Sequence, residues 1–146
     1  MTIFLGADHR GFTLKNQIKS WLLEKDFDVQ DLGAKSYVTN DDFVEYAVSA
    51  GERVAEEKGT KGIVVCGSGA GVEIATNKVK GARCTLGQSA EQVKKAREAD
   101  DVNVLAIASD FTNFEKAQKI IESFLQTSFV PSENHTRRIE KISKLD

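Results

Sequence analysis

The chain is sparing with the residues that mark special chemistry: its 146 residues include one proline, one tryptophan, two histidines and two cysteines. Cys66 and Cys84 form no metal-like spacing, so no metal site is expected from them, and reduced thiols are expected rather than a bridge. Met1 runs directly into TIFLGAD, with no basic start, long apolar region or small-residue cleavage site, so no secretory leader is expected. No apolar run is long enough to cross a bilayer. The formal charge of −2 lacks the basic excess of a nucleic-acid binder. It leaves room for a small anionic ligand, because local amides and arginines decide that. A cytoplasmic protein with no membrane and no nucleic-acid partner is the expectation. Gly-Lys-Ser/Thr is missing, which excludes a Walker loop.

What is present is alternation. Apolar, β-branched runs predict strands at Thr2–Ala7, Asp28–Gly33, Gly62–Gly67, Ala82–Gly87 and Val102–Ser109. Between them, Leu14, Ile18 and Leu22 share one helical face, as do Phe43, Ala47, Ala50 and Val54 in a helix predicted over Asp41–Lys58. Further helices are predicted over Val72–Lys78 and Ser89–Glu98, and around Phe114–Leu125. Pro131 separates the last of these from a basic helix over Ser132–Lys144. Continuous apolar strands between helices predict one α/β domain over residues 1–146. Its expected form is a doubly wound, five-stranded parallel sheet in a Rossmann-like three-layer sandwich, with an extra C-terminal helix. Ligands of such folds bind beyond the carboxyl ends of the strands. Asp8 and His9 follow the first strand and Cys66 to Gly71 follow the third, so both groups belong at that edge.

The stretch KGIVVCGSGAGVEIATNK, Lys61 to Lys78, places glycines at 67, 69 and 71 directly after a cysteine. A dinucleotide cradle needs a third glycine where Val72 stands, and no acidic residue ends a neighbouring strand at the right distance. What remains is a backbone that a ligand can approach closely, with successive amides forming an anion nest at a helix start. Such amides favour a thiolate beside them, and a base next to an oxyanion nest suits proton abstraction beside a carbonyl. Read by itself, Cys66 is first a small hydrophobe closing a strand and only second a base, and Cys84, without a glycine loop, reads only as a hydrophobe. Asp41 and Asp42 read as a helix cap, Glu73 as a solvated helix residue or an alternative base, and Trp21 as packing.

The segments GADHRGFTLK, DDFVEYA, VVCGSGAGVEIATNKVKGARC, NVLAIAS and ENHTRRIEKI together resemble the ribose-5-phosphate isomerase B family. That family also contains the two subunits of galactose-6-phosphate isomerase. The resemblance runs end to end. It implies an aldose–ketose isomerase of sugar phosphates that needs no cofactor, with Cys66 as the base. Ser68 and the amides of Gly67, Gly69, Ala70 and Gly71 would hold the enediolate oxygens. Asp8 and His9 would contact the sugar, and His135 and Arg138 the phosphate, while Arg137 reads as a solvated residue. Family members are dimers or tetramers with sites at subunit boundaries, so a homodimer or tetramer is implied and the tail residues would serve a neighbour's site.

The departures are specific. Where the family shows a pattern like HNxxNV, this chain has Ala99 and Asp100, so the usual ring-opening histidine is missing. Asp110 stands near a family arginine, and Asn134 stands where the tail commonly offers another. Three readings follow. The substrate could be a short sugar phosphate that forms no stable ring. The chain could resemble the B-type subunit of a heteromeric galactose-6-phosphate isomerase or a non-catalytic sugar-phosphate binder. Or Asp100 or His9 could open the ring.

Overall fold

A strand covered by helices on both faces must be apolar on both sides, and IFLGA and IVVC meet that need. The computed structural model describes residues 1–146. In chain order its elements are β1 Thr2–Ala7, α1 Phe12–Glu24, β2 Asp28–Asp31, α2 Phe43–Glu56, β3 Lys61–Cys66 and α3 Ala70–Thr76. They continue with β4 Cys84–Leu86, α4 Ala90–Asp100, β5 Val104–Ala108, α5 Phe114–Gln126 and α6 Glu133–Ser143. The strands form one sheet in the order β2-β1-β3-β5-β4, every pair parallel. This is the expected doubly wound α/β fold with an added C-terminal helix. No helix is long and apolar enough to cross a membrane.

Alternation along the strands divides the core in two. Ile3, Leu5, Ile63, Val65, Leu105 and Ile107 pack with apolar residues of α1, α4 and α5. Phe4, Val64, Cys66, Val104 and Ala106 pack with those of α2 and α3. The predicted face of α1, Leu14, Ile18 and Leu22, is buried, as are Ala47, Ala50 and Val54 of α2. Ser89, Asn113 and Ser132 cap α4, α5 and α6, each side chain accepting an amide of the first turn.

The edge strand β2 is tied down by charge rather than by apolar burial. Lys15 of α1 is fully buried, and its Nζ donates to Asp31 Oδ1 at 2.8 Å and to the Ala34 carbonyl at 2.5 Å. Lys19 reaches the other Asp31 oxygen at 3.0 Å, and the Gly33 amide donates to the first at 2.9 Å. Burial pushes the Asp31 carboxyl up, but these donors outweigh it and hold it at about 2. For Lys15 the balance is reversed: burial outweighs the attraction of Asp31 and lowers it. Asp31 is thus the better compensated partner.

The order β2-β1-β3-β5-β4 reverses between β1 and β3, with β2 on one side and β5 and β4 on the other. At such a switch point adjacent loops diverge and open a crevice at the carboxyl ends of the strands. α6 is the exception to the layered packing: none of its residues is buried, and just beyond it Leu145 is 85% exposed.

Candidate functional site

Three loops meet at the crevice, after β1, β3 and β5. Cys66 ends β3 on the face shared with α2 and α3, and only 4% of it is exposed. Its carbonyl accepts the Ser109 amide at 2.8 Å and the Ser109 hydroxyl at 3.1 Å, while the Gly67 carbonyl accepts the Asp110 amide at 3.0 Å. Gly69 has φ of +77°, where a side chain is strained, and a Cβ there would lie 2.4 Å from Leu86 Cδ1. That left-handed turn starts α3 at Ala70, two residues earlier than the apolar pattern predicted. A Cβ on Gly71 would lie 2.6 Å from the Phe43 ring, so α3 rests directly on the first residue of α2. Ser68 is exposed, and its Oγ accepts the Ala70 amide at 3.3 Å. Cys66, Gly67, Ser68, Gly69, Ala70 and Gly71 therefore form one turn with amides at its start. Replacing Gly69 by alanine is expected to lower stability by about 1–3 kcal/mol from left-handed strain and overlap. Urea denaturation measures it, and an unchanged midpoint would contradict the tightness of this turn.

Opposite the turn, Asp8 is 4% exposed, and its Oδ1 accepts the amides of Arg10 at 3.0 Å and Gly11 at 3.1 Å. This side-chain turn launches α1. His9 is anchored twice by Asp41: the amide at 2.7 Å and ring Nδ1 at 2.8 Å both meet Asp41 Oδ1. Tyr46 donates its hydroxyl to the other Asp41 oxygen at 3.2 Å. Burial opposes ionisation of Asp41, but the His9 amide, the His9 ring and the Tyr46 hydroxyl hold its carboxyl below the usual range. The carboxylate makes Nδ1 the proton-bearing nitrogen and leaves Nε2 for a ligand. Possible metal-ligand atoms of Asp8, His9 and Asp41 lie within 4.8 Å of one another. Asp8 Oδ1 and Asp41 Oδ1 already accept hydrogen bonds, so the cluster is arranged to position His9.

Asp41 corrects the expectation that it caps α2. Asp42 occupies the cap position, without a side-chain bond, and Asp41 reaches back to His9 instead. Sequence reasoning missed Asp41 and Tyr46 as site residues, because the contact to His9 spans 32 positions and leaves no local pattern. Cys84 fits the plain reading: burial, aided by the charge of Glu73, pushes its thiol well up. Glu73 Oε1 accepts the Leu86 amide at 2.9 Å, so this carboxylate anchors β4. Trp21 packs edge-on against Phe114. Arg137 donates to Asn134 Oδ1 at 2.7 Å on the surface of α6.

Three expected site residues lie elsewhere in the chain. Asp100 ends α4 ahead of β5, at the amino-terminal edge of the sheet, and its carbonyl accepts Arg83 Nε at 3.1 Å. His135 Nδ1 pairs with the Val130 carbonyl at 2.8 Å, and the Val130 amide bonds to the Glu98 carbonyl near the end of α4. Arg138 is exposed on α6. Cys66, Ser68, Asp8 and His9 come together at the carboxyl edge, while Asp100 lies at the opposite one.

The profile of the Ribose/Galactose Isomerase family matches residues 3–142. Ribose-5-phosphate isomerase B of Mycobacterium leprae is 36% identical over 146 residues, covering 100% of this chain and 90% of the relative. The crystal structure of ribose-5-phosphate isomerase B from Mycoplasma genitalium with bound ribulose-5-phosphate superposes with a TM-score of 0.94 at 38% identity, covering 99% of this chain and 95% of that one. Type B ribose 5-phosphate isomerase of Trypanosoma brucei gives 0.92 at 34% identity, with 99% and 98% covered. By sequence match and by fold, the chain belongs to the ribose/galactose isomerase family.

Proposed function

We propose that the chain is an aldose–ketose isomerase of sugar phosphates, of the ribose-5-phosphate to ribulose-5-phosphate type, with Cys66 as the base. The observation that carries this is the placement of Cys66 at the β1/β3 switch point, at the head of a glycine turn and across from Asp8 and His9. The Cys66 thiolate takes the proton from C2 of the open-chain aldose. The electron pair forms the C1–C2 double bond, and negative charge develops on the oxygens. Amides of Gly67, Gly69, Ala70 and Gly71, with the Ser68 hydroxyl, stabilise that enediolate. Return of the proton to C1 and passage of the O2 proton to O1 give the ketose, with its carbonyl at C2 and a hydroxyl at C1. The carbon that is oxidised and the one that is reduced belong to the same molecule, so the chemistry needs no redox cofactor.

Asp8 keeps its second carboxylate oxygen for a sugar hydroxyl, and His9 offers Nε2 to the ligand. Because no histidine stands at position 99, His9 is also the group of this chain best placed to protonate a ring oxygen, which it does as the imidazolium, with Nε2 protonated as well as Nδ1. Replacing Asp41 by alanine is expected to lower kcat/KM by about tenfold through misplacement of His9. Steady-state kinetics measures this, and an unchanged value would remove His9 from the mechanism.

The opposite-edge position of Asp100, with His135 beside the end of α4, supports a homodimer or tetramer in which these residues and Arg138 serve a neighbouring chain's site. The exposed α6 agrees with such a partner. We place the activity in the cytoplasm. A second reading, a subunit that binds a sugar phosphate but turns over only beside a companion chain, is favoured by Ala99, which offers no acid. Assay of the lone purified chain with ribose-5-phosphate decides between them: turnover supports the first reading and silence the second.

A further inference from the structure

A sugar phosphate brings a dianion to the crevice, and the chain must meet it with a cation. The lysines near β2 are committed elsewhere: Lys15 and Lys19 pair with Asp31, and Lys35 donates to the Asp31 carbonyl. Arg10 is different. It follows Asp8 and His9 directly, and its Nε lies 2.3 Å from the point a Cβ on Gly67 would occupy, with its Cδ 2.9 Å from the same point. The arginine stem therefore lies against the first glycine of the turn. Only a residue without a side chain at position 67 allows this.

The placement is fixed from three sides. The Arg10 amide donates to Asp8 Oδ1 at 3.0 Å, and the Arg10 carbonyl accepts the Ser109 hydroxyl at 2.8 Å. The guanidinium donates from Nη2 to Asp110 Oδ2 at 2.5 Å, and Asp110 is itself held through its amide to the Gly67 carbonyl. The loops after β1, β3 and β5 are thus joined through one side chain. Arg10 remains 55% exposed, and a guanidinium offers five donors, of which Asp110 takes one.

Resting on the sugar-phosphate reading, we infer that Arg10 is the cation this chain itself brings to the phosphate of its substrate, beside the Arg138 that a neighbouring chain would lend, and that Asp110 holds the guanidinium across the glycine turn. The pair is more than surface decoration because the Asp110 amide is tied to the Gly67 carbonyl, and the Arg10 carbonyl shares the Ser109 hydroxyl with the carbonyl of Cys66. An exposed ion pair adds little to stability, so its removal leaves the fold intact and the variants interpretable.

The test uses the full chain with two probes, inorganic phosphate in calorimetry and ribose-5-phosphate in kinetics. Arg10→Ala is expected to weaken phosphate binding and raise KM at least about tenfold, with kcat within about threefold of the parent. The swapped pair Arg10→Asp with Asp110→Arg puts the guanidinium back at the same mouth and is expected to recover KM to within about threefold of the parent. Arg10→Ala with unchanged phosphate affinity and KM in an active enzyme overturns the inference and leaves the isomerase reading standing. A parent chain without turnover contradicts the isomerase reading alone, and phosphate calorimetry of the parent against Arg10→Ala still decides the role of Arg10.

Discussion

Replacing Cys66 by alanine is expected to reduce turnover of ribose-5-phosphate by roughly 10²–10⁴-fold, the range a positioned general base contributes. Substrate binding should change little, because the amides of Gly67, Gly69, Ala70 and Gly71 and the Asp8–His9 side remain. The expectation is a fall in kcat at nearly constant KM, the signature of an interaction used in the transition state rather than in binding. Serine at position 66 should rescue little, since a hydroxyl holds its proton far more tightly than a thiol. The substitution is small, and Cys66 packs among Phe4, Val64 and Val72, so an alanine keeps the surroundings apolar. Steady-state rates, paired with binding of ribulose-5-phosphate followed by NMR, separate the two effects. Normal turnover by the alanine variant would move the base to another residue.

The second large effect concerns stability. Replacing Asp31 by alanine strands the fully buried Lys15 ammonium without its counter-charge, which is expected to cost about 3–5 kcal/mol. The same pair predicts an acid-side loss in the parent chain. Asp31 sits at about 2 when folded against an ordinary 3.8. A depressed folded-state value means that its contribution is complete above about pH 4 and drains away as pH falls through about 2. The amount is about 2 kcal/mol for this group. Urea denaturation at pH 7 and pH 3 checks both statements. A destabilisation by Asp31→Ala of less than about 1 kcal/mol would show that water reaches Lys15 and that the pair is not a buried one.

The sequence made the scaffold readable because each layer left a local pattern. Apolar runs such as IFLGA and IVVC announced strands covered on both faces, and the spacing of Leu14, Ile18 and Leu22 announced the helix beneath them. The glycine turn was readable for the same reason: its cysteine and glycines are consecutive. Contacts that join distant segments left no such trace. Asp41 looked like a helix cap and serves His9, 32 positions away, and Arg10 meets Asp110 across the chain. The start of α3 moved to Ala70 because a left-handed Gly69, not an apolar residue, begins it. The position of Asp100 could have been reasoned out: a residue that precedes a strand in a parallel sheet sits at the amino edge, away from loops that follow strands.

The most direct test of the account is proton exchange by the lone purified chain with ribose-5-phosphate in deuterated water, followed by NMR at C1 and C2. The account predicts ribulose-5-phosphate formation with solvent deuterium appearing at the exchanging carbon, and loss of both in the Cys66→Ala chain. A correctly folded chain that binds ribose-5-phosphate, exchanges no proton and forms no ketose would contradict it.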